Sequence, residues 1–121
     1  MKRVLLIEDH LPDAILLEEW LHEAGVTWTV HPAGTYAAAE AAWHRQPFDL
    51  VLLDLDIPDG FGLPLVRRVL TLVGPTPVVI LSGYRDEARA AQALALGAHS
   101  FQVKSPEAVW ALATMFSGAA P

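Results

Sequence analysis

A three-layer α/β fold, a doubly wound five-stranded parallel sheet with helices on both faces, is predicted by three observations. Short apolar runs of strand length alternate five times with stripes at helical spacing. Strands separated by helices of ten or more residues pair in parallel through right-handed crossovers, which cover both faces of the sheet. The run Leu50-Val-Leu-Leu53 has no polar position at all, as expected of a central strand buried on both sides. Two of the runs also end in carboxylates, Val4 to Ile7 in Glu8-Asp9 and the central run in Asp54. Open α/β sheets bind ligands just beyond the carboxyl ends of their strands.

The elements follow in order. Val4 to Ile7 reads as the first strand. Pro12 to Ala24 reads as a helix, with Ile15, Leu16, Trp20 and Leu21 at helical spacing and Gly25 as its stop. Val26, Trp28 and Val30 alternate with Thr27 and Thr29, the period of a half-exposed strand, placing strand two at 26–30 on a sheet edge. Thr35 begins an alanine-rich helix that runs to Gln46 and is closed by Pro47. Asp49 to Asp54 is strand three, and a helix from Leu63 to Val73 carries Pro64 in its first turn, where the missing N–H costs nothing. Thr76 to Ser82 is strand four, Asp86 to Leu96 a helix capped by Gly97, His99 to Val103 strand five, and Pro106 to Phe116 the last helix. Ser117 to Pro121 reads as a tail or the start of a linker.

With 121 residues, positions 1–121 are expected to form one domain with a single core. Hydrophobic residues make up 53% of the chain, but no apolar stretch approaches the ~18 residues that span a bilayer. The N-terminus lacks the apolar core and cleavage site of a secretory signal, so a cytoplasmic location is expected. Zero cysteines exclude disulfides, zinc ribbons and thiol catalysis. The net charge of −6, with Arg67-Arg68 the only adjacent basic pair beyond Lys2-Arg3, argues against direct nucleic-acid binding.

The strand ends carry the chemistry. In order they are Glu8-Asp9, His31-Pro32, Asp54, Ser82 and Lys104. Converging in one cleft, these supply three carboxylates, one hydroxyl and one ammonium. Two carboxylates ~4 Å apart repel by about 4 kcal/mol at an effective dielectric near 20, so the cluster calls for a cation. With only oxygen donors and neither Cys nor a His cluster, that cation is a hard ion, and coordination by a few carboxylates plus water suits Mg²⁺. Lys104 and Ser82 then serve as contacts to phosphoryl oxygens, and Asp54 as a nucleophile that forms an acyl phosphate.

The segments Glu8-Asp9, Asp54-Leu-Asp-Ile-Pro-Asp-Gly60, Val78-Val-Ile-Leu-Ser-Gly83 and Gly97-Ala-His-Ser-Phe-Gln-Val-Lys104 resemble the signature segments of bacterial two-component response regulator receiver domains. The resemblance covers essentially the whole chain. It implies a flavodoxin-like strand order 2-1-3-4-5 and Mg²⁺-dependent phosphorylation of Asp54 by the phosphohistidine of a sensor histidine kinase or a phosphotransfer protein. It further implies metal ligation by Asp9, Glu8, Asp54 and the backbone carbonyl of Asp56. Lys104 would pair with Asp54 or with the phosphoryl group. Ser82 and Phe101 would form the switch that reshapes the surface of helix four, strand five and helix five, a face expected to bind a partner protein or a second copy of the chain. Gly83, small after the switch hydroxyl, would leave the phosphoryl group accessible. Asp56 and Tyr84 flank the site and would lengthen phosphoryl lifetime by hindering attacking water. On this reading the chain is a phosphoacceptor that promotes its own phosphorylation and dephosphorylation, and not an enzyme acting on free substrates.

Three features depart from the family pattern. Ser105 separates Lys104 from Pro106, where the family usually has proline directly after the lysine, so this loop is expected to differ. Phe101 lacks the hydroxyl of the commoner tyrosine. Asp56 and Tyr84 occupy variable positions. Taken singly, the key residues also have plainer readings: Asp54 as a turn former, Lys104 as a surface lysine, Ser82-Gly83 as a turn, Phe101 as a core aromatic, and His10 as a loop residue. Trp20, Trp28, Trp43 and Trp110 read as packing, and Gly60-Phe-Gly62 is too short to cradle a nucleotide. Two other functions fit parts of the pattern. Asp54-Leu-Asp56 resembles the Asp-x-Asp of haloacid-dehalogenase-type phosphatases, although there it ends the first strand of a longer chain. A receiver-like adaptor that signals without phosphorylation is the other.

Overall fold

The sheet is built around a strand that has no exposed residue. In the computed structural model, which describes residues 2–117, Leu50, Val51, Leu52 and Leu53 are each 0% exposed and form β3 (Leu50–Leu53). The chain runs β1 (Arg3–Ile7), α1 (Leu11–Glu23), β2 (Thr29–Ala33), α2 (Tyr36–Arg45), β3, β4 (Asp56–Ile57), β5 (Gly60–Phe61), α3 (Gly62–Val73), β6 (Val78–Ser82), α4 (Glu87–Leu96), β7 (Ser100–Val103) and α5 (Pro106–Ser117). The main sheet has the order β2-β1-β3-β6-β7, with every pairing parallel. This is the expected 2-1-3-4-5 arrangement, β6 and β7 being its fourth and fifth strands. Of the expected tail, Ser117 to Pro121, Ser117 is the last residue of α5 and residues 118–121 lie outside the described residues.

Alternation along the strands divides the core into two. Leu5, Ile7, Val51, Leu53, Val78 and Ile80 face one way and pack with Ala39 and Ala42 of α2, Leu65, Val66 and Val69 of α3, and Ala93 of α4. Val4, Leu6, Leu50, Leu52, Val79 and Leu81 face the other way, onto Ala14, Leu17 and Leu21 of α1 and Val109 and Leu112 of α5. Successive side chains of a strand point to opposite faces, so one unbroken apolar run serves both layers.

The second strand lies three residues later than its apolar alternation suggests, at Thr29–Ala33 in place of 26–30. The cause is the end of α1. Gly25, at φ +80°, adopts a left-handed conformation that a glycine takes without strain. Its N–H donates to His22 O and the Val26 N–H donates to Leu21 O, the paired bonds of a Schellman termination. Val26 is thus consumed in closing the helix. Val26, Trp28 and Val30 do pack on the α1–α5 side, but the ladder with β1 pairs Arg3 with Thr29 and Ile7 with Ala33. His31 and Pro32 therefore lie within the strand and do not end it. Pro32 is accommodated because β2 is an edge strand.

After Asp54 the chain forms a small antiparallel hairpin, β4 with β5, that the periodicity does not foretell. Gly60 leaves room for the buried Leu65 there: a Cβ at this position would lie 2.6 Å from Leu65 Cδ1 and the leucine would have to shift. At its tip Asp59 caps α2 from a distance: its carboxylate accepts from Tyr36 N at 2.6 Å and from Ala37 N at 3.0 Å. The Tyr36 bond chiefly holds the Asp59 carboxyl below its ordinary pKa, against some desolvation. Asp59→Ala is expected to cost ~1 kcal/mol, as for other lost helix caps, and to lower the melting temperature by about 4 °C. Because the folded pKa is depressed, this contribution is present at neutral pH and is lost as pH falls below about 4. Urea melts of the variant at pH 7 and pH 3 check both points; an equal deficit at the two values would refute the charge-based account.

Candidate functional site

The carboxyl ends of β1 and β3 lie side by side, Ile7 pairing with Leu53, and the backbone carries this register one residue further. Asp54 N donates to Ile7 O at 2.9 Å, and Glu8 N donates to Ala33 O at 2.9 Å. Glu8, Asp9 and Asp54 are thereby placed in one cluster, with a carboxylate oxygen from each lying within 4.8 Å of the others. From the far side, Lys104 N donates to Ser82 O at 2.7 Å. This bond sets the lysine at the end of β7, from which its side chain reaches the acids.

The ammonium group of Lys104 is the hub. Its Nζ donates to Glu8 Oε1 at 2.5 Å and to Asp13 Oδ2 at 2.9 Å, and lies 3.8 Å from Asp54 Oδ2. The sequence reading pairs Lys104 with Asp54, and the two form an ion pair at 3.8 Å, while the hydrogen bonds of the ammonium go to Glu8 and Asp13. Burial works against the ammonium, but the bonds to Glu8 and Asp13 and the charge of Asp54 outweigh it and hold its pKa above the usual lysine value. The hydrogen bond from Lys104 holds Asp13 below its ordinary value, against some desolvation. Glu8, with its side chain only 3% exposed, is pushed up to about 8, first by burial and then by the nearby Asp54 carboxyl, with Lys104 opposing.

Asp13 was not legible as a site residue. It sits in the first turn of α1, four positions after Asp9, so the one available signal was a carboxylate one helical turn beyond an acidic strand end. His10, the loop residue, is its other partner, with Nδ1 3.1 Å from Asp13 Oδ1.

The remaining candidates lie around this cluster. Ser82, 9% exposed at the end of β6, donates its hydroxyl to Tyr84 O at 2.8 Å and accepts from Tyr84 N at 3.3 Å, so it is turned into its own loop. Phe101 is half-buried on β7 and packs against the α2–α4 side of the core. It also lines a recess with Gln102 of β7, Ala90 of α4 and Ala108 of α5. Gly83 and Tyr84 are exposed, and Asp56 is exposed on β4 opposite Phe61. The loop after Lys104 takes a form that Ser105 explains: its hydroxyl accepts from Ala108 N at 3.1 Å and donates to Val103 O at 3.2 Å. Ser105 thus caps α5 and Pro106 opens the helix.

The acids fit a hard divalent cation. Oε2 of Glu8 is buried without a hydrogen-bond partner while Oε1 is bonded to Lys104, and an orphaned buried carboxylate oxygen is costly unless something satisfies it. An all-oxygen donor set of this kind matches Mg²⁺ or Mn²⁺ better than a softer ion.

Residues 4–112 match the profile of the family described as the response regulator receiver domain. Over 111 residues, 88% of this chain and 24% of the relative, the chain is 35% identical to the methanogenesis regulatory protein FilR1 of Methanothrix harundinacea. It spans 5–30% of other curated relatives that it matches. The Mn(2+)-bound form of response regulator Rcp1 has the same fold, with a TM-score of 0.80 at 22% identity, covering 100% of this chain and 98% of that one. The phosphorylated cyanobacterial phytochrome response regulator RcpA also has a TM-score of 0.80, at 24% identity, covering 99% and 96%. Sheet order, acidic strand ends and family match agree: the chain belongs to the response regulator receiver domains of two-component signalling.

Proposed function

We propose that the chain accepts a phosphoryl group on Asp54 from the phosphohistidine of a sensor kinase or phosphotransfer protein, in a Mg²⁺-dependent reaction. The observation that carries this reading is the setting of Asp54, a partly exposed carboxylate on a rigid strand end between two further acids and an ammonium 3.8 Å away. Glu8, Asp9, Asp54 and the carbonyl of Asp56 would hold the ion, which offsets the negative charge of the site and of the phosphoryl oxygens. An Asp54 carboxylate oxygen forms the bond to phosphorus as the bond to the donor histidine breaks, its electron pair staying on the imidazole nitrogen. Lys104 neutralises a phosphoryl oxygen without giving up a proton. Ser82 leaves Tyr84 O for the phosphoryl group, and Phe101 follows into the space it vacates.

The consequence is a changed α4–β7–α5 surface, for which Leu94 (46% exposed) and Trp110 (45% exposed) offer apolar contacts. A partner protein or a second copy of the chain docks there. Residues 1–121 act as one receiver domain in the cytoplasm, without direct contact to nucleic acid; among the described residues no helix is long and apolar enough to cross a membrane. Asp56 and Tyr84 hinder attacking water and lengthen phosphoryl lifetime. The position of Asp54-Leu-Asp56 weighs against the phosphatase reading, since it follows β3 and not the first strand of the sheet. Incubation with Mg²⁺ and a small acyl phosphate, followed by mass measurement and peptide mapping, is expected to show one phosphoryl group on Asp54. No uptake would support the adaptor reading, and uptake at another residue would overturn the assignment.

A further inference from the structure

Lys104 is shared by carboxylates from three elements, and only one of them is the phosphoacceptor. Its ammonium has three N–H donors. One is committed to Glu8 on the β1 side and one to Asp13 of α1. Asp54 Oδ2, at 3.8 Å, lies beyond hydrogen-bond reach. We propose that Asp13 is a positioning residue for phosphoryl transfer, fixing Lys104 so that its third N–H is kept for a phosphoryl oxygen arriving beside Asp54. The inference rests on the phosphoacceptor reading given above.

A lysine stem has four rotatable carbons and loses much conformational freedom when its head is fixed. A single bond to Glu8 would leave the ammonium free to pivot about that contact. A second bond, from a different element, removes the pivot. Asp13 is itself held, because its other oxygen lies 3.1 Å from His10 Nδ1 and its backbone N–H donates to His10 O at 3.0 Å. The Lys104 side chain is 19% exposed and that of Asp13 is 35% exposed, so the pair is less screened than a surface ion pair. In the transfer itself a phosphorus–oxygen bond forms at Asp54 and the bond to the donor breaks, the electron pair leaving with the donor. Lys104 offsets charge and Asp13 exchanges nothing. The plainer role for Asp13 is that of an acid favoured by the N-terminal dipole of α1, and that role is independent of Lys104.

The test uses the full chain, Mg²⁺ and acetyl phosphate as the probe. Asp13→Ala is expected to slow phosphorylation at saturating donor on the order of tenfold, the scale of a small misplacement of a catalytic group. The half-saturating donor concentration and the Mg²⁺ affinity stay unchanged, and Asp13→Glu recovers part of the rate. In a Lys104→Ala background Asp13→Ala has no further effect, the non-additivity of residues that act as a unit. An unchanged or faster rate overturns the proposal, as does a loss that persists without Lys104. Nitrogen-15 NMR of the Lys104 ammonium separates this from failure of the phosphoacceptor reading: slow hydrogen exchange that speeds up in Asp13→Ala supports positioning, and equal exchange refutes it. A wild-type chain that takes up no phosphoryl group at Asp54 refutes the phosphoacceptor reading, and the positioning role of Asp13 in phosphoryl transfer with it.

Discussion

Asp54→Asn is expected to reduce phosphoryl uptake by at least about a thousandfold, equivalent to ~4 kcal/mol of activation free energy. The amide keeps the shape of the side chain but cannot form the acyl phosphate, and Glu8, with its single free oxygen deeply buried, does not replace it. The same substitution removes a negative charge from beside Asp9 and Glu8, the latter only partly ionised at pH 8. At ~4 Å each such repulsion is worth about 4 kcal/mol before relaxation, so the metal-free variant is expected to melt at or above the wild-type temperature at pH 8. It is also expected to bind Mg²⁺ more weakly. A phosphorylation assay and a thermal melt on the same sample are sufficient. Equal labelling of wild type and variant would remove Asp54 from the mechanism, and a variant that is unlabelled only because it is unfolded would show itself in the melt.

The second large effect concerns pH and metal together. The folded-state pKa of Glu8 is raised from 4.5 to about 8 by burial and by Asp54. A raised folded pKa contributes stability that is fully present below the unfolded value and is lost as pH rises through the folded one. For Glu8 that window runs from about pH 4.5 to about pH 8. The full shift corresponds to roughly 5 kcal/mol at 1.36 kcal/mol per unit, and relaxation of the cluster reduces this to a loss on the order of 2 kcal/mol for the metal-free chain between pH 5 and pH 8.5. Divalent metal needs the ionised carboxylate, so binding and deprotonation are linked. Mg²⁺ is therefore expected to raise the melting temperature more at pH 8.5 than at pH 6. Urea melts with and without Mg²⁺ across this range measure the effect, and Glu8→Gln should flatten the metal-free slope. A metal-free stability that rises with pH across the window would contradict the assignment.

Much of the site was legible because its residues sit at strand ends, where a change from apolar to charged residues marks the boundary. Glu8-Asp9 and Asp54 close apolar runs and Lys104 closes the mixed strand Ser100–Val103, and parallel pairing leaves such ends on one edge of the sheet. Asp13 was not legible in this way. Its partner Lys104 lies 91 positions later, and within its own helix Asp13 looks like any first-turn acid. Asp59 shows the same limit: it caps a helix that begins 23 positions earlier.

The layer architecture and the chemical character of the edge are written in the order of residues alone, because the apolar period of each segment is a local property that survives whatever the neighbours do. The partners of each polar group were settled by packing. It moved β2 past the Schellman closure of α1, turned Ser82 onto Tyr84, and divided Lys104 between Glu8 and Asp13 with Asp54 held 3.8 Å away. The physical reason is range. Burial patterns are written residue by residue along a strand or helix, whereas a hydrogen bond between side chains 91 or 96 positions apart exists only once the strands and helices that carry them have been packed together.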